Sequence, residues 1–256
     1  MNAQPQFSYT RPPVLEAVIG ITFSQPINDA ALAAIDRRLS KHYLVHNDNE
    51  HVDLLMSTTV GADNRPVVGA QGHTTRGHRR ANPGMDEIAV LMPDSLTVSQ
   101  LAPYRGWEAY FDRFKRDFTA HKRTNTHHAI SRVGVRYINR VDIPATGNIV
   151  EHEQFVDIYP RVPDALGPMV GFSMQAQFVL ASIGGHTNVN TMPVQSVTLR
   201  HASFLVDIDV YKTITTPMTD AALYALLQHM RVEKNRIFEA CVTQRAREEL
   251  FGYAKR

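Results

Sequence analysis

The sequence predicts an α+β fold, a mostly antiparallel sheet with long helices on one face, and three features of the chain lead to it. Short segments of alternating apolar and polar residues follow one another at hairpin spacings, which leaves few crossover connections for a parallel sheet. Two long segments instead repeat their apolar residues with helical period. The order of segments also runs twice: strand, helix, four strands, helix over residues 1–126, then strand, short helical piece, three or four strands, helix over residues 127–256. No residue-level repeat accompanies that order, so the duplication rests on the succession of elements alone.

Residues 15–23, LEAVIGITF, place Leu15, Ala17, Ile19, Ile21 and Phe23 on one side and Glu16, Val18, Gly20 and Thr22 on the other, the period of a strand. Ser24 to Asn28 then lead into a helix whose Ile27, Ala31, Leu32, Ile35 and Leu39 share a face and which is expected to end near Ser40. Strands follow around 51–59, 65–72, 87–92 and 96–101, with loops at GADN and GHTTRGHRRANPG and a tight turn at Pro93 and Asp94. In GWEAYFDRFKRDFTAHK, Trp107, Tyr110, Phe111, Phe114, Phe118 and His121 cluster on one helical face. The second half opens on a strand from Arg132 to Ile143. It continues through a short helical piece around 150–159 and the connection PRVPDALGP to strands at 172–181, 187–192 and 197–211. Thr216 and Pro217 read as the cap and first-turn proline of a helix reaching about Thr243, and a short helix at 244–251 follows.

With 43% hydrophobic and 20% charged residues, the 256-residue chain has the apolar mass for a buried core and lacks the signature of disorder. MNAQPQFSYTRPP has no basic-then-apolar signal layout, and no apolar run approaches the roughly 20 residues that cross a bilayer. A cytoplasmic protein without a membrane partner is therefore expected. The single cysteine, Cys241, falls in a helical pattern and reads as a small buried apolar group. A net charge of +2 is too mild to argue nucleic-acid binding by itself. Three large enzyme classes lose their usual signature, because GxxxxGK[ST], GxGxxG and GxSxG are all missing. His127 and His128 are adjacent and diverge in an extended chain, and no His/Cys/Asp spacing matches a zinc or iron site. Neither a metal nor a cofactor is expected.

The stretch SRVGVRYINR carries the main functional signal. Strand period puts Val133, Val135, Tyr137, Val141 and Ile143 on one face with Asn139, and Arg132, Gly134, Arg136, Ile138, Arg140 and Asp142 on the other. FLVDIDVY divides in the same way, with Leu205, Asp207, Asp209 and Tyr211 opposite Phe204, Val206, Ile208 and Val210. If these strands are neighbours, an open sheet face carries guanidinium groups about 13 Å apart interleaved with carboxylates. Cross-strand ion pairs that satisfy one another, forked donors aimed at phosphates or carboxylates of a ligand, and a subunit interface all fit that pattern.

Two further candidates stand beside it. Lys234 falls near the centre of the stripe Leu223, Leu226, Leu227, Met230, Ile237, Phe238 and Cys241, so its ammonium is expected to snorkel to the edge or meet an aspartate. The loop GHTTRGHRR, residues 72–80, gathers Arg76, Arg79 and Arg80 with two histidines, a composition suited to phosphate contacts or to a solvated hairpin loop.

Five segments, PPVLEAVIGITF at 12–23, LAPYRGWEAYF at 101–111, SRVGVRYINRVDIP at 131–144, LVDIDVY at 205–211 and MRVEKNRIFEACVT with its trailing LF at 230–251, occur in this order. Together they resemble a sporadically distributed bacterial protein family of unknown function. The resemblance implies no catalytic residue. Its patchy occurrence is similar to that of toxin-antitoxin or phage-defence components. Arg136, Arg140, Asp207, Asp209 and Lys234 lie inside the resembling segments, whereas GHTTRGHRR does not. Gly20 departs from the pattern, standing where such a strand often has a larger or charged residue.

The expected protein is a non-enzymatic binding module with a duplicated β-α-β4-α arrangement of the TATA-binding-protein-like type, both halves sharing one sheet. Its open face would engage a protein or nucleic-acid partner. The alternative is a small-ligand-binding or hydrolytic enzyme of helix-grip type, with a pocket near Lys234, Asp207 and Asp209. A homodimer joined through the arginine face is the third reading.

Overall fold

A computed structural model describes residues 9–60, 66–124, 129–145, 151–167, 169 and 171–253. The first half comprises β1 (Val14–Phe23), α1 (Asp29–Leu39), β2 (Val45–Val60), β3 (Pro66–Ala81), β4 (Glu87–Met92), β5 (Ser95–Leu101) and α2 (Trp107–Thr124). The second comprises β6 (Ile130–Pro144), 3₁₀ turns at His152–Gln154 and Asp164–Leu166, β7 (Met174–Leu180), β8 (Gly185–Val194), β9 (His201–Thr213), α3 (Asp220–Cys241) and a π turn at Ala246–Leu250. The nine strands form one sheet in the order β2-β3-β4-β5-β1-β6-β9-β8-β7, and every neighbouring pair is antiparallel. The α+β class and the antiparallel sheet are as the sequence predicts.

The sheet has one apolar face because period two puts every second residue of its central strands on the same side. Ile19 and Ile21 of β1, Val133, Val135 and Tyr137 of β6, and Val206, Ile208 and Val210 of β9 are all buried there. All three helices cover that side: α1 packs on β3, β4 and α2, α2 on β5, and α3 on β6 and β9. Helix α2 contributes Trp107, Tyr110, Phe111, Phe114 and Phe118, and α3 contributes Leu223, Leu227 and Met230. Among the described residues no helix lies on the opposite face. Among the same residues no helix is long and apolar enough to cross a membrane.

Helix starts follow side-chain capping. Asn28 Oδ1 accepts from the Ala31 amide at 2.9 Å and opens α1. Thr219 does the same for α3, accepting from Ala222 at 3.2 Å. This corrects the start expected at Thr216 and Pro217: Thr219 is the extended residue beside the first helical turn, and the chain before it is not helical.

The largest correction concerns GHTTRGHRR. These residues are part of β3, paired along their whole length with β2. Alternating polar residues with no apolar face gave the segment the look of a loop, whereas its amides are satisfied by the ladder. Gly77 has a local reason, since a side chain there would run into the Leu91 carbonyl and the Met92 sulfur of β4. The helical piece expected at 150–159 contracts to the 3₁₀ turn at His152–Gln154. Leu15 is exposed rather than in the core, because the register with β6 shifts between Val14 and Glu16. The GADN loop, His127, His128 and residues 1–8 lie outside the described residues.

Candidate functional site

The arginines and aspartates predicted to share a face do so, on adjacent strands. In the β6/β9 register Arg136 lies opposite Asp209 and Ile138 opposite Asp207. The guanidiniums reach along the diagonal: Arg136 Nε and Nη2 each donate to Asp207 at 2.7 Å, and Arg132 Nη2 donates to Asp209 Oδ2 at 2.8 Å. Arg140 donates to Asp142 Oδ1 at 2.7 Å and to Ser203 Oγ at 3.0 Å. Asn190 of β8 adds a bond to Asp207 at 3.2 Å, and the Arg132 guanidinium lies 4.6 Å over the Tyr211 ring. Burial raises the Asp209 carboxyl above its ordinary range against the pull of Arg132 and Arg136. Hydrogen bonds to Asp207 raise the Arg136 guanidinium further.

This network is paired internally yet open to solvent. The Asp207 side chain is only 8% exposed, while that of Arg136 above it is 46% exposed. Arg132, Arg136 and Arg140 are balanced by Asp142, Asp207 and Asp209, and Glu16 of β1 shares their face, so the network has no positive excess. The adjoining strands continue the face with uncharged residues as far as Arg79 of β3. Asn188 and Asn190 of β8 and Gln175 and Gln177 of β7 lie on one side in register, and Val18, Thr22, Thr97 and Val90 on the other. At the centre Gly20 is opposite Gly134, and a side chain added at Gly20 would meet nothing within 4 Å. The face is therefore open at Gly20, whereas Arg132 Nη1 and Asp209 Oδ1 lie 3.1 Å and 3.4 Å from where a side chain at Gly134 would begin.

Lys234 is on the other side of the sheet. Its ammonium sits 3.6 Å from the centre of the Tyr137 ring, a residue of the helix-covered face, and the Tyr137 hydroxyl is 2.7 Å from that of Tyr104. Burial, reinforced by Arg231 and opposed by Glu239, lowers its pKa to about 7. The ammonium thus neither escapes to the edge nor meets an aspartate. A pocket combining Lys234 with Asp207 and Asp209 does not form, because the sheet separates them. Cys241 is buried as expected, and burial pushes its thiol up to about 12.

Arg76, Arg79 and Arg80 do not converge. Arg80 faces the helices and binds the Asp36 carboxylate of α1 through Nε at 2.7 Å and Nη2 at 2.5 Å. Arg79 is on the opposite face, beside Val90 and Asn47, and Arg76 returns to the helix side. Two groupings escaped the sequence reading. Asp36, His46 and His78 come together where α1 meets β2 and β3. A cavity of about 300 Å³ between α1 and α2 is lined by Arg38, Lys41, His42, Arg116 and Arg123. The latter was half legible, since Arg116 and Arg123 are seven residues apart and share a helical face.

No protein-family model matches the chain, and no curated protein matches it.

Proposed function

We propose that the chain is a non-enzymatic binding module that docks a protein partner on its uncovered sheet face, around Arg132, Arg136, Arg140, Asp207 and Asp209. The observation that carries this reading is the combination of solvent access with internal charge balance. A nucleic-acid backbone selects surfaces with surplus cationic charge, since neutralised phosphates release counterions. A protein interface instead favours an open centre, amide-bearing flanks and an arginine held in place, as at Gly20, at Asn188, Asn190, Gln175 and Gln177, and at Arg136.

The two halves are read as copies of one β-α-β4-α unit in the TATA-binding-protein-like manner. From the centre outward the strands run β1-β5-β4-β3-β2 in one half and β6-β9-β8-β7 in the other, so each half begins at the centre and places its last strand beside its first. The second half has one strand fewer and 3₁₀ turns in the place of α1. A toxin-antitoxin or phage-defence setting is the context that the sequence resemblance suggests for such a module.

A second reading belongs to the helical side. The cavity between α1 and α2 gathers Arg38, Lys41, Arg116 and Arg123, and this is where a nucleic acid would bind.

Affinity capture from the native host, with and without nuclease, separates the two readings. The partner is expected to survive nuclease and to be lost with Gly20→Tyr, which projects a ring into the open space at Gly20. A nuclease-sensitive partner that is retained by Gly20→Tyr and lost with a paired Arg38→Glu and Arg123→Glu variant would overturn the sheet-face reading. Light scattering that finds a dimer broken by Gly20→Tyr would make the partner a second copy of the chain.

A further inference from the structure

We infer that His46, His78 and Asp36, closed by Asp48, form a binding site for a divalent metal ion of the zinc class. The site follows from strand geometry. His46 and Asp48 are two residues apart on β2 and share a face. Their cross-strand partners on β3 are Arg80 and His78 respectively, so the imidazoles meet along the diagonal. Asp36 then descends from the last turn of α1 onto the same spot.

The distances suit the ion. His46 Nε2 and His78 Nδ1 are 3.3 Å apart. Two nitrogens bound at about 2.0–2.1 Å to a tetrahedral zinc are separated by about 3.3–3.4 Å. Ligand atoms of Asp36, His46 and His78 all lie within 4.8 Å of one another. Asp48 Oδ1 stands 4.0 Å from His46 Nε2 and 3.9 Å from His78 Nδ1, and its side chain, 85% exposed, is free to close that gap by rotation.

The surroundings favour a cation as well. Two imidazoles and two carboxylates are the donor set that borderline divalent ions take. Arg80 holds the Asp36 carboxylate by two bonds, which occupy two of its roughly four lone-pair sites and leave the others for a metal. In that arrangement Arg80 orients a ligating carboxylate, as outer-shell partners of metal sites do. The ion's structural effect is to fasten the long β2–β3 hairpin to α1.

The inference is independent of the sheet face and is tested on the full chain after chelator treatment, using Zn²⁺ and Co²⁺ as probes. One Zn²⁺ per chain is expected, with a rise in Tm of roughly 5–10 °C at a hundredfold excess over Kd. Co²⁺ should give the intense visible absorption of a tetrahedral site. His46→Ala and His78→Ala should each abolish that spectrum and the thermal shift, and Asp48→Asn, at an exposed position, should weaken binding about tenfold or more while leaving the metal-free Tm unchanged. The inference is overturned by the absence of Zn²⁺ binding, by binding that persists in a His46→Ala, His78→Ala double variant, or by the weak spectrum of octahedral Co²⁺.

Discussion

Replacing Lys234 with methionine should stabilise the protein, and by an amount that depends on pH in one direction only. Lys234 is buried on α3 along with Leu227, Met230, Ile237 and Phe238, its ammonium lies over the Tyr137 ring, and burial takes its pKa from 10.5 down to about 7. Between those two values the unfolded chain holds a proton that the folded chain lacks, so unfolding takes up a proton and acid favours it. Stability should therefore rise with pH above 7 at up to about 1.4 kcal/mol per unit, or about 2–3 kcal/mol between pH 7 and 9, and level off beyond the unfolded value. Below pH 7 both states are protonated and the full penalty, of order 5 kcal/mol, is flat. Methionine fills a similar volume with no charge to desolvate, so its advantage should be several kcal/mol near pH 7 and shrink as pH rises. Urea denaturation of both proteins at pH 6, 7, 8 and 9 measures this, and the difference between the two curves removes every other titrating group. Parallel curves would refute the argument. They would mean that the face of Tyr137, which attracts the cation, compensates the whole cost of burial.

Other outcomes follow from single contacts. Arg136→Ala leaves Asp207, 8% exposed, with the Asn190 bond alone among the described residues, and should cost about 1–2 kcal/mol; a double-mutant cycle with Asp207→Ala should return a coupling near 1 kcal/mol, discounted because Arg136 is 46% exposed. A coupling near zero would make the pair ornamental to stability. Tyr43→Phe removes a fully buried hydroxyl that donates to Asp117 at 2.5 Å and accepts from Arg113 at 3.0 Å, and should cost about 1–3 kcal/mol in denaturant melts. Arg136→Lys keeps a charge for Asp207 but loses the fork, so stability should change by under about 1 kcal/mol while captured partner falls about tenfold or more. Partner retention in that variant would move the docking site elsewhere.

The central strands were legible because their two faces differ so strongly in polarity. In SRVGVRYINR and FLVDIDVY the alternation fixed both the covered side and the projecting groups, and the register then set Arg136 opposite Asp209 and within diagonal reach of Asp207. The helices α2 and α3 were legible for the same reason at a different period, including the anomalous place of Lys234. The β2–β3 hairpin was not. At Thr75 to Arg80 neither face is apolar, and periodicity carries no information where both sides meet water or charge. The histidine cluster was invisible for a further reason. His46 and His78 are 32 residues apart, and only the pairing of two strands, unknown before the structure, makes them neighbours. The environment of Lys234 was missed because an aromatic face, rather than a carboxylate, received its charge.

Charge balance on the open face bears on what the face is for. Ion pairs between exposed partners add little to stability, and a sheet needing only solubility there would do as well with scattered lysines and glutamates. What this network does fix is geometry. Arg136 is held by two bonds to Asp207, which is itself held by Asn190, so the guanidinium is ordered before any partner arrives, while among the described residues Nη1 makes no hydrogen bond and stays open to a partner. An arginine already restrained loses little conformational entropy on docking, and that saving is the usual source of selectivity when net charge supplies no long-range attraction. A surface so arranged should associate at ordinary rates with weak salt dependence and discriminate among partners through dissociation, the behaviour of a specific protein interface rather than of a phosphate-binding one.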